Sequence, residues 1–435
     1  MSYEVFGGAA FQPRPTGAVV VELEDGADPQ RLTTEAAEAG FAAALGAGAA
    51  IGAETGSVVL PDVGVAILEP REKDTSALSS FVQSARSLSG VADSRPEFWV
   101  SRADMAVEDD VFDAEVRDWA RRGLEILLER LGSADAPGLQ RKLRPTTDAI
   151  EDDAKATWAI RAVGAVESSA TGRGVSVAVL DTGVDLSHPA LRHRIADHRS
   201  FVPRETIDDG NGHGTHCCGL VAGEEISGAP RFGVAPGADL FVGKVLSNAG
   251  HGKERQILQG MEWAIEKGCD VISMSLGRRV SDGEGPASGY RRLFEAAEKS
   301  GVLIVAAAGN DSFRPSFVNP VSSPANDPLA MAVGAVDSVL GVARFSNGSV
   351  NSAGGGLDIV APGVSILSAE PHPGRFVRQS GTSMATPIVA GLAALMKELK
   401  SGLKGQALRK ALADLASGLG DPADYGAGLA RAPQD

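Results

Sequence analysis

Three short segments carry side chains that together could activate a serine hydroxyl. They are Asp181-Thr182-Gly183, His213-Gly214-Thr215-His216 and Gly381-Thr382-Ser383-Met384-Ala385. A serine hydroxyl attacks a carbonyl at neutral pH only if an imidazole accepts its proton and a carboxylate orients that imidazole. The segments supply these groups in the order acid, base and nucleophile, which predicts a hydrolytic centre at Asp181, His213 and Ser383.

Each of these residues also has a simpler explanation when it is considered alone. Asp181 could form a turn in Asp-Thr-Gly, His213 could be a core or capping histidine, and Ser383 could be a helix N-cap. Three unrelated caps have no reason to occur in the order of a catalytic triad. The combination therefore favours catalysis over structure.

Apolar runs predict the elements that hold the acid and the base. The run 175–180 is β-branched and bounded by glycines, which favours a buried strand of a parallel sheet that ends at Asp181. Open α/β sheets bind ligands at such strand ends. The small, apolar run 217–223 favours a buried helix that carries His213 in its first turn.

Ser383 opens an apolar segment that continues to Met396 and predicts a central buried helix. Pro387 is expected in the first turn of that helix, where a missing N–H costs little. The positive end of the helix dipole there favours negative charge at the reacting centre.

Asn310 is a candidate for stabilising that negative charge. It follows the apolar run 301–309, which predicts a second buried strand. A side-chain amide can donate hydrogen bonds to an oxyanion as it forms. The alternative is an ordinary loop asparagine.

With these residues in place, the chain resembles the subtilisin-like serine peptidases (subtilases), and among them the proteinase K group. The resemblance covers about residues 157–432 and includes four further motifs: Thr157-Trp158, Gly233-Val234-Ala235-Pro236, Ser273-Met274-Ser275-Leu276-Gly277 and Tyr425-Gly426-Ala427-Gly428-Leu429. It implies an α/β, subtilisin-like three-layer fold with a mainly parallel central sheet.

The resemblance also implies roles for individual residues. Asp181 would orient the base His213, Ser383 would be the nucleophile, and Asn310 would form the oxyanion hole with the Ser383 backbone N–H. Two further groups would bind substrate. Ser275, Leu276 and Gly277 would pair with the substrate backbone as an added strand, and Ala307, Ala308 and Gly309 would wall a first specificity pocket with room for an apolar side chain.

No cofactor is expected for catalysis and no metal-binding residue is predicted. Structural calcium is expected in this family, but Ala190 lacks the carboxylate that relatives use for the tight site, and the loop 227–232 offers no evident side-chain ligand. That site is therefore expected to be lost. Cys217 stands where members of the proteinase K group have a cysteine beneath the catalytic histidine, which makes those enzymes mercury-sensitive.

The N-terminal third carries a different pattern. It predicts strand 18–23, helix 29–45, strand 57–60, strand 63–68, helix 75–88 and strand 96–100. This β-α-β-β-α-β order predicts a small ferredoxin-like α+β domain over residues 1–105. By topology and position it resembles the subtilisin propeptide, which assists folding of the catalytic domain and then occupies its active site. An unrelated accessory domain is the alternative.

Residues 106–155 are expected to form an acidic, helical linker. The stretch Asp113–Leu131 has the apolar spacing of an amphipathic helix, and breaker residues and the charged run 151–153 follow it. Cleavage within or near this segment is predicted. Residues 156–435 would then be the catalytic domain.

Composition limits the partners and the compartment. The 435-residue chain has a net charge of −15 and a pI of about 5.0, which argues against nucleic-acid binding. No apolar run approaches the length of a membrane span. Three cysteines and the absence of a basic, apolar N-terminal leader favour the cytoplasm. The alternative is a secreted protein whose leader is absent from this sequence.

These features predict a serine endopeptidase that hydrolyses proteins through an acyl-enzyme. It would be made as a self-inhibited precursor with autocatalytic maturation, and it would have broad specificity with an apolar first pocket. Two other classes remain as alternatives: a catalytically silent binding module, and an esterase of the α/β-hydrolase type. The esterase is disfavoured because Ser383 lacks the Gly-x-Ser-x-Gly context and the acid precedes the serine.

Overall fold

A computed structural model describes residues 15–39, 41–42, 44–45, 57–60, 64–71, 78–102, 149–372 and 375–434. The predicted helix Asp113–Leu131 lies outside these ranges. The described strands are β1 Pro15–Leu23, β2 Ala44–Leu45, β3 Ser57–Leu60, β4 Val65–Leu68, β5 Val91–Arg102, β6 Ser176–Asp181, β7 Ile195–Ser200, β8 Asp239–Lys244, β9 His251–Lys253, β10 Val271–Met274, β11 Leu276–Gly277, β12 Leu303–Ala307, β13 Met331–Val336, β14 Ile359–Pro362, β15 Ile366–Glu370 and β16 Arg375–Gln379.

The described helices are α1 Pro29–Glu38, α2 Leu78–Arg86, α3 Trp158–Ala162, α4 His213–Ala222, α5 Glu254–Glu266, α6 Ser288–Ser300, α7 Thr382–Leu399, α8 Gly405–Leu415 and α9 Pro422–Tyr425. Among the residues described, no helix has both the length and the apolar character needed to cross a membrane.

A parallel sheet forms the centre of the C-terminal part. Its seven strands lie in the order β14-β13-β12-β10-β6-β8-β7, and every pairing is parallel. Side chains alternate between the two faces of β6: Val177 and Val179 face one hydrophobic core, whereas Ala178 and Leu180 face another. Helices α4 and α7 contribute to the first core, and α5 and α6 to the second. The predicted three-layer arrangement with a parallel sheet is confirmed.

The N-terminal part forms a second sheet in the order β5-β1-β4-β3-β2. Alternate side chains of β1 again divide between two cores. Val19 and Val21 pack with residues of α1 and α2, whereas Val20 belongs to the core that contains Leu293 and Phe294 of α6. The sheet therefore has its own helices on one face and the catalytic part on the other.

The bounds of the predicted N-terminal elements differ from those in the structure, most of all at the first helix and the last strand. The first helix was predicted to reach residue 45 but ends at Glu38, Phe41 lies in the local core in contact with Phe81, and Ala44–Leu45 form β2. The last strand was predicted at 96–100 but spans Val91–Arg102. Its extension follows from pairing with strands far away in sequence.

β5 leaves its own sheet and continues into the catalytic part. Near its end it pairs antiparallel with β9 on one side, Trp99 opposite Lys253 and Ser101 opposite His251. It also pairs antiparallel with β11, Ser101 opposite Gly277. β5 thus fills a groove between two strands of the catalytic part, next to the carboxyl ends of the parallel sheet.

Candidate active site

Asp181 and His213 meet in the interior, at the end of β6 and the start of α4. The Asp181 Oδ1 atom lies 2.7 Å from His213 Nδ1, and both side chains are fully buried. Because a carboxylate only accepts, Nδ1 carries the proton and Nε2 is the acceptor in the neutral imidazole. Nε2 is buried without a hydrogen-bond partner within the described part of the chain.

Two opposing effects set the pKa of His213. Burial of the imidazole lowers the pKa, but the adjacent Asp181 carboxylate raises it, and the pKa lies well above the usual 6.5. His216 behaves differently: burial and repulsion from His213 lower its pKa to about 3. The Nε2 atom of His216 lies 3.0 Å from the Ile366 carbonyl oxygen, so this neutral ring ties α4 to β15.

Ser383 is the second residue of α7, where backbone N–H groups have no partner within the helix. Its hydroxyl donates to the backbone oxygen of Ser275 at 3.2 Å. The Cys217 sulfur lies 3.9 Å from His213 Nδ1 and 3.6 Å from the Ser383 backbone oxygen. The structure therefore brings the sequence-predicted acid, base and serine to one buried place.

Pro387 opens a gap in the helix directly beneath Ser383. This proline was expected in the first turn, but α7 begins at Thr382 and Pro387 is its sixth residue. In a regular helix the N–H of residue 387 would bond to the Ser383 carbonyl, and proline has no N–H. The Ser275 hydroxyl donates to that carbonyl at 2.8 Å instead. The prediction that Pro387 lies in the first turn was wrong. The hydrogen bond that proline cannot make is replaced by one from Ser275, the residue after β10.

Asn310 faces the first turn of α7. Its Oδ1 atom accepts from the Thr382 N–H and the Thr382 hydroxyl, both at 2.9 Å. An N–H must be met by the amide oxygen, so the orientation of the amide is fixed. Its Nδ2 is buried and has no hydrogen-bond partner among the described residues. This leaves an N–H₂ donor available beside Ser383.

The predicted pocket residues lie immediately before Asn310. Ala307 ends β12, and Ala307 and Ala308 are fully buried. Gly309 has φ +104°, and a Cβ there would lie 2.3 Å from Ser322 Oγ and 2.4 Å from Asn347 Nδ2. Only glycine fits this position. That these residues line a specificity pocket stays a prediction.

Ser275, Leu276 and Gly277 form one wall of the groove that β5 occupies. The opposite wall, β9, was not found from the sequence. Its residues, His251-Gly252-Lys253, have no alternation of apolar side chains, and they bind through backbone groups. The turn-forming Asn248-Ala249-Gly250 before them is the only local signal of a chain reversal.

Asp181, His213 and Cys217 also have potential metal-ligand atoms within 4.8 Å of one another. Burial raises the pKa of the Cys217 thiol to about 11, so the thiol is neutral near pH 7. The His213 Nδ1 proton is already shared with Asp181 at 2.7 Å. A metal ion would have to displace both protons, and the arrangement favours proton transfer over metal binding.

The calcium site implied by the family does not fit this chain. Ala190 is buried and has no oxygen-bearing side chain. In the neighbouring loop a cation is already present, because the Arg231 guanidinium donates to the Gly233 oxygen at 3.1 Å and to the Val234 oxygen at 2.8 Å. A guanidinium beside these carbonyls opposes binding of a second cation. Loss of the tight calcium site stays a prediction that these contacts support.

Comparisons with known proteins agree with this geometry. The subtilase family matches residues 172–428. The chain is 41% identical over 320 residues to M-protease of Shouchella clausii (strain KSM-K16), covering 71% of this chain and 78% of that protein. It is 40% identical over 319 residues to alkaline elastase YaB of Bacillus sp. (strain YaB), covering 71% and 79%.

Subtilisin Savinase of Lederbergia lenta is 42% identical over 274 residues, which is 63% of this chain and 94% of that protein. The narrower resemblance to the proteinase K group stays a prediction. The family match covers more than half of the chain and includes Asp181, His213 and Ser383. The chain belongs to the subtilase family and is a subtilisin-like serine endopeptidase.

Proposed function

We propose that Asp181, His213 and Ser383 are the catalytic triad with which this endopeptidase cleaves peptide bonds through an acyl-enzyme. The observation that carries the proposal is the buried hydrogen bond of 2.7 Å between Asp181 and His213, which leaves Nε2 as an acceptor without a partner among the described residues. A proton-accepting role in catalysis accounts for an imidazole nitrogen that is buried without a hydrogen-bond partner in the described part of the chain.

The reaction follows from these positions. The Ser383 hydroxyl turns from the Ser275 carbonyl to His213 Nε2, gives up its proton and attacks the substrate carbonyl. Asn310 Nδ2 donates to the oxyanion that forms. The protonated His213, stabilised by Asp181, then delivers the proton to the leaving amine. A water molecule then attacks the acyl-enzyme, with His213 again accepting and returning the proton, and the acyl group is released from Ser383.

The groove between β9 and β11 is the proposed substrate site. Backbone groups on both walls can pair with an extended peptide whatever its sequence. The proposed first specificity pocket is formed by Ala307, Ala308 and Gly309, whose small size leaves room for an apolar side chain. Broad specificity would follow, because most of the binding is to the backbone.

The N-terminal domain is the proposed intramolecular inhibitor. β5 fills the same groove, which a substrate could not enter at the same time. The strand order β5-β1-β4-β3, with two helices on one face, supports the ferredoxin-like propeptide interpretation. The enzyme would thus be a self-inhibited precursor that matures by its own activity.

The register of β5 predicts where this maturation occurs. Arg102 lies opposite Leu276, so the next residue of a strand in this groove comes opposite Ser275, which contacts Ser383. We therefore expect cleavage between Ala103 and Asp104, at the border of the linker. Location in the cytoplasm stays a prediction, with secretion as the alternative.

The substitution Ser383→Ala tests the proposal. We expect it to abolish peptide hydrolysis and labelling by a fluorophosphonate, because the attacking oxygen is gone, and to leave the precursor uncut. Intact mass with N-terminal sequencing of both proteins measures maturation directly. Ser187→Ala, which removes an exposed hydroxyl bonded only to Asp185, is the control. Normal processing of purified Ser383→Ala would contradict the autocatalytic proposal, and undiminished turnover would contradict the triad.

A further inference from the structure

The register of β5 shows which residue of a bound peptide lies opposite each residue of β11. Ser101 pairs with Gly277 and Arg102 with Leu276. A peptide held in this register has its next residue opposite Ser275, whose backbone oxygen lies 3.2 Å from Ser383 Oγ. The carbonyl that Ser383 attacks belongs to that next residue. Arg102 therefore occupies the place of the second residue on the amino-terminal side of the cleaved bond.

Contacts of both its side chain and its backbone hold Arg102 in this place. Its guanidinium Nη1 donates to Asn211 Oδ1 at 2.8 Å, and its backbone N–H donates to the Gly250 oxygen at 3.1 Å. The aliphatic part of the side chain crosses Gly250: a Cβ there would lie 3.1 Å from Arg102 Cδ. Gly250 also has φ +78°, which other residues rarely adopt. A glycine here leaves room for a long side chain.

Hydrogen bonds fix Asn211 in the orientation in which its amide oxygen can accept from the Arg102 guanidinium. Its Nδ2 donates to the Asn248 carbonyl at 2.9 Å, and its backbone N–H donates to Asp209 Oδ1 at 3.1 Å. The amide oxygen therefore accepts from Arg102 at 2.8 Å and, more weakly, from the His213 backbone N–H at 3.4 Å. Asp208, which is exposed, and the buried Asp209 make this loop acidic. The surroundings thus favour a positively charged donor over an acceptor or an anion.

We propose that the enzyme prefers substrates with arginine as the second residue before the cleaved bond, and that Asn211 and Gly250 determine this preference. The inference rests on the proposed function, since it assumes that substrates follow the path of β5. One charge-assisted hydrogen bond at a partly exposed site gives about a tenfold preference over a side chain of equal length without a donor.

A matched pair of peptides tests the preference. Both copy the chain as Val-Ser-X-Ala ahead of a fluorogenic leaving group, with X either arginine or norleucine, which has a similar aliphatic chain and no donor. The two are mixed and hydrolysed by the full chain, so that the ratio of their kcat/KM values does not depend on the fraction of active molecules. Asn211→Ala is compared with wild type, and Asn351→Ala, in a loop bonded to Glu284, is the matched control.

We expect arginine to be favoured about tenfold by wild type and by Asn351→Ala, and the ratio to fall below threefold in Asn211→Ala. Asn211→Asp should raise the ratio above that of wild type. A wild-type ratio near one in an enzyme that cleaves both peptides would overturn the preference while leaving the triad intact. A high ratio that persists in Asn211→Ala would overturn the role of Asn211. If neither peptide is cleaved by an enzyme that takes the fluorophosphonate label, the assumed substrate path is wrong.

Discussion

The imidazole of His213 is the residue on which the chemistry depends, and its environment makes it a stronger base than a free histidine. Burial alone would lower its pKa and favour the neutral ring. The Asp181 carboxylate at 2.7 Å more than compensates, because it stabilises the imidazolium. The same pairing fixes the tautomer that presents Nε2 to the serine.

This balance predicts the pH dependence of the enzyme. Only the neutral imidazole can accept the Ser383 proton, so activity appears as the pH rises through the pKa of His213. Since that pKa is raised, we expect the acid limb of kcat/KM for a short peptide to lie above pH 6.5. A limb centred below pH 6.5 would mean that Asp181 does not act on His213 as the structure implies.

Asn310 gives a second prediction for a single side chain. Its Oδ1 is held by Thr382, which leaves Nδ2 to meet the oxyanion. We expect Asn310→Ala to lower kcat by about 10²- to 10³-fold, the range typical of removing one oxyanion donor from a subtilisin, with little change in KM. The measurement is steady-state hydrolysis of one peptide by both proteins. A change confined to KM would place Asn310 in ground-state binding instead.

The proposed reacting residues were all named from the sequence, whereas only some of the residues proposed to hold the substrate strand were. Asp181, His213 and Ser383 stand in short strings whose residue types are dictated by chemistry. Gly250 and Asn211 act through a backbone oxygen and one amide, in a loop of ordinary turn composition. No local pattern identifies such contacts, because they depend on what lies opposite in space.

At the scale of elements, α7 is held to Ser275, which lies between β10 and β11, by an exchange of hydrogen bonds. Pro387 removes the helical partner of the Ser383 carbonyl, and the Ser275 hydroxyl takes its place at 2.8 Å. The Ser383 hydroxyl in turn donates to the Ser275 carbonyl. The proline thus frees a carbonyl in the helix for a bond that ties the serine to the substrate wall.

A double-mutant cycle tests this coupling. Ser275→Ala should reduce the free energy of unfolding by about 1–3 kcal/mol, because it removes the hydroxyl that donates to the buried Ser383 carbonyl. Pro387→Ala restores the N–H and should recover most of that loss in the double variant. Denaturant unfolding is measured for all four proteins of the cycle. Each carries Ser383→Ala, so that it cannot digest itself. Simple additivity of the two changes would show that the bonds are independent.

The elements themselves were predicted best where the pattern was local. β6, α4 and α7 are mostly apolar because nearly all of their residues are buried, and their existence and type were correct. The first helix was predicted too long, since apolar alanines continue past Glu38, where it ends. β5 was predicted too short, because its last residues are fixed by β9 and β11 rather than by their own alternation.

At the scale of the whole molecule, the N-terminal domain is joined to the catalytic part by buried ion pairs at the start of α5. Arg255 Nε lies 2.8 Å from Glu97 Oε1, and Arg95 Nη1 lies 2.9 Å from Glu254 Oε2. Glu97 and Glu254 are completely buried. Each pair has one partner from either part, so neither charge is compensated once the parts separate. Such pairs make docking specific and sensitive to loss of one charge.

The ion pair of Glu97 therefore leads us to expect that acid weakens the docking of the N-terminal domain on the catalytic part. Burial raises the pKa of Glu97, but Arg255 outweighs burial and lowers it below the usual 4.5. A carboxyl whose pKa is depressed in the docked state stabilises that state above its free pKa, and this stabilisation is lost as the pH falls through the depressed value. We expect the radius of gyration of Ser383→Ala chains, measured by small-angle scattering, to increase below pH 4.5 while circular dichroism still reports folded domains. A radius that stays constant until the domains unfold would show that the apolar face of the N-terminal sheet, and not the Glu97–Arg255 pair, governs docking.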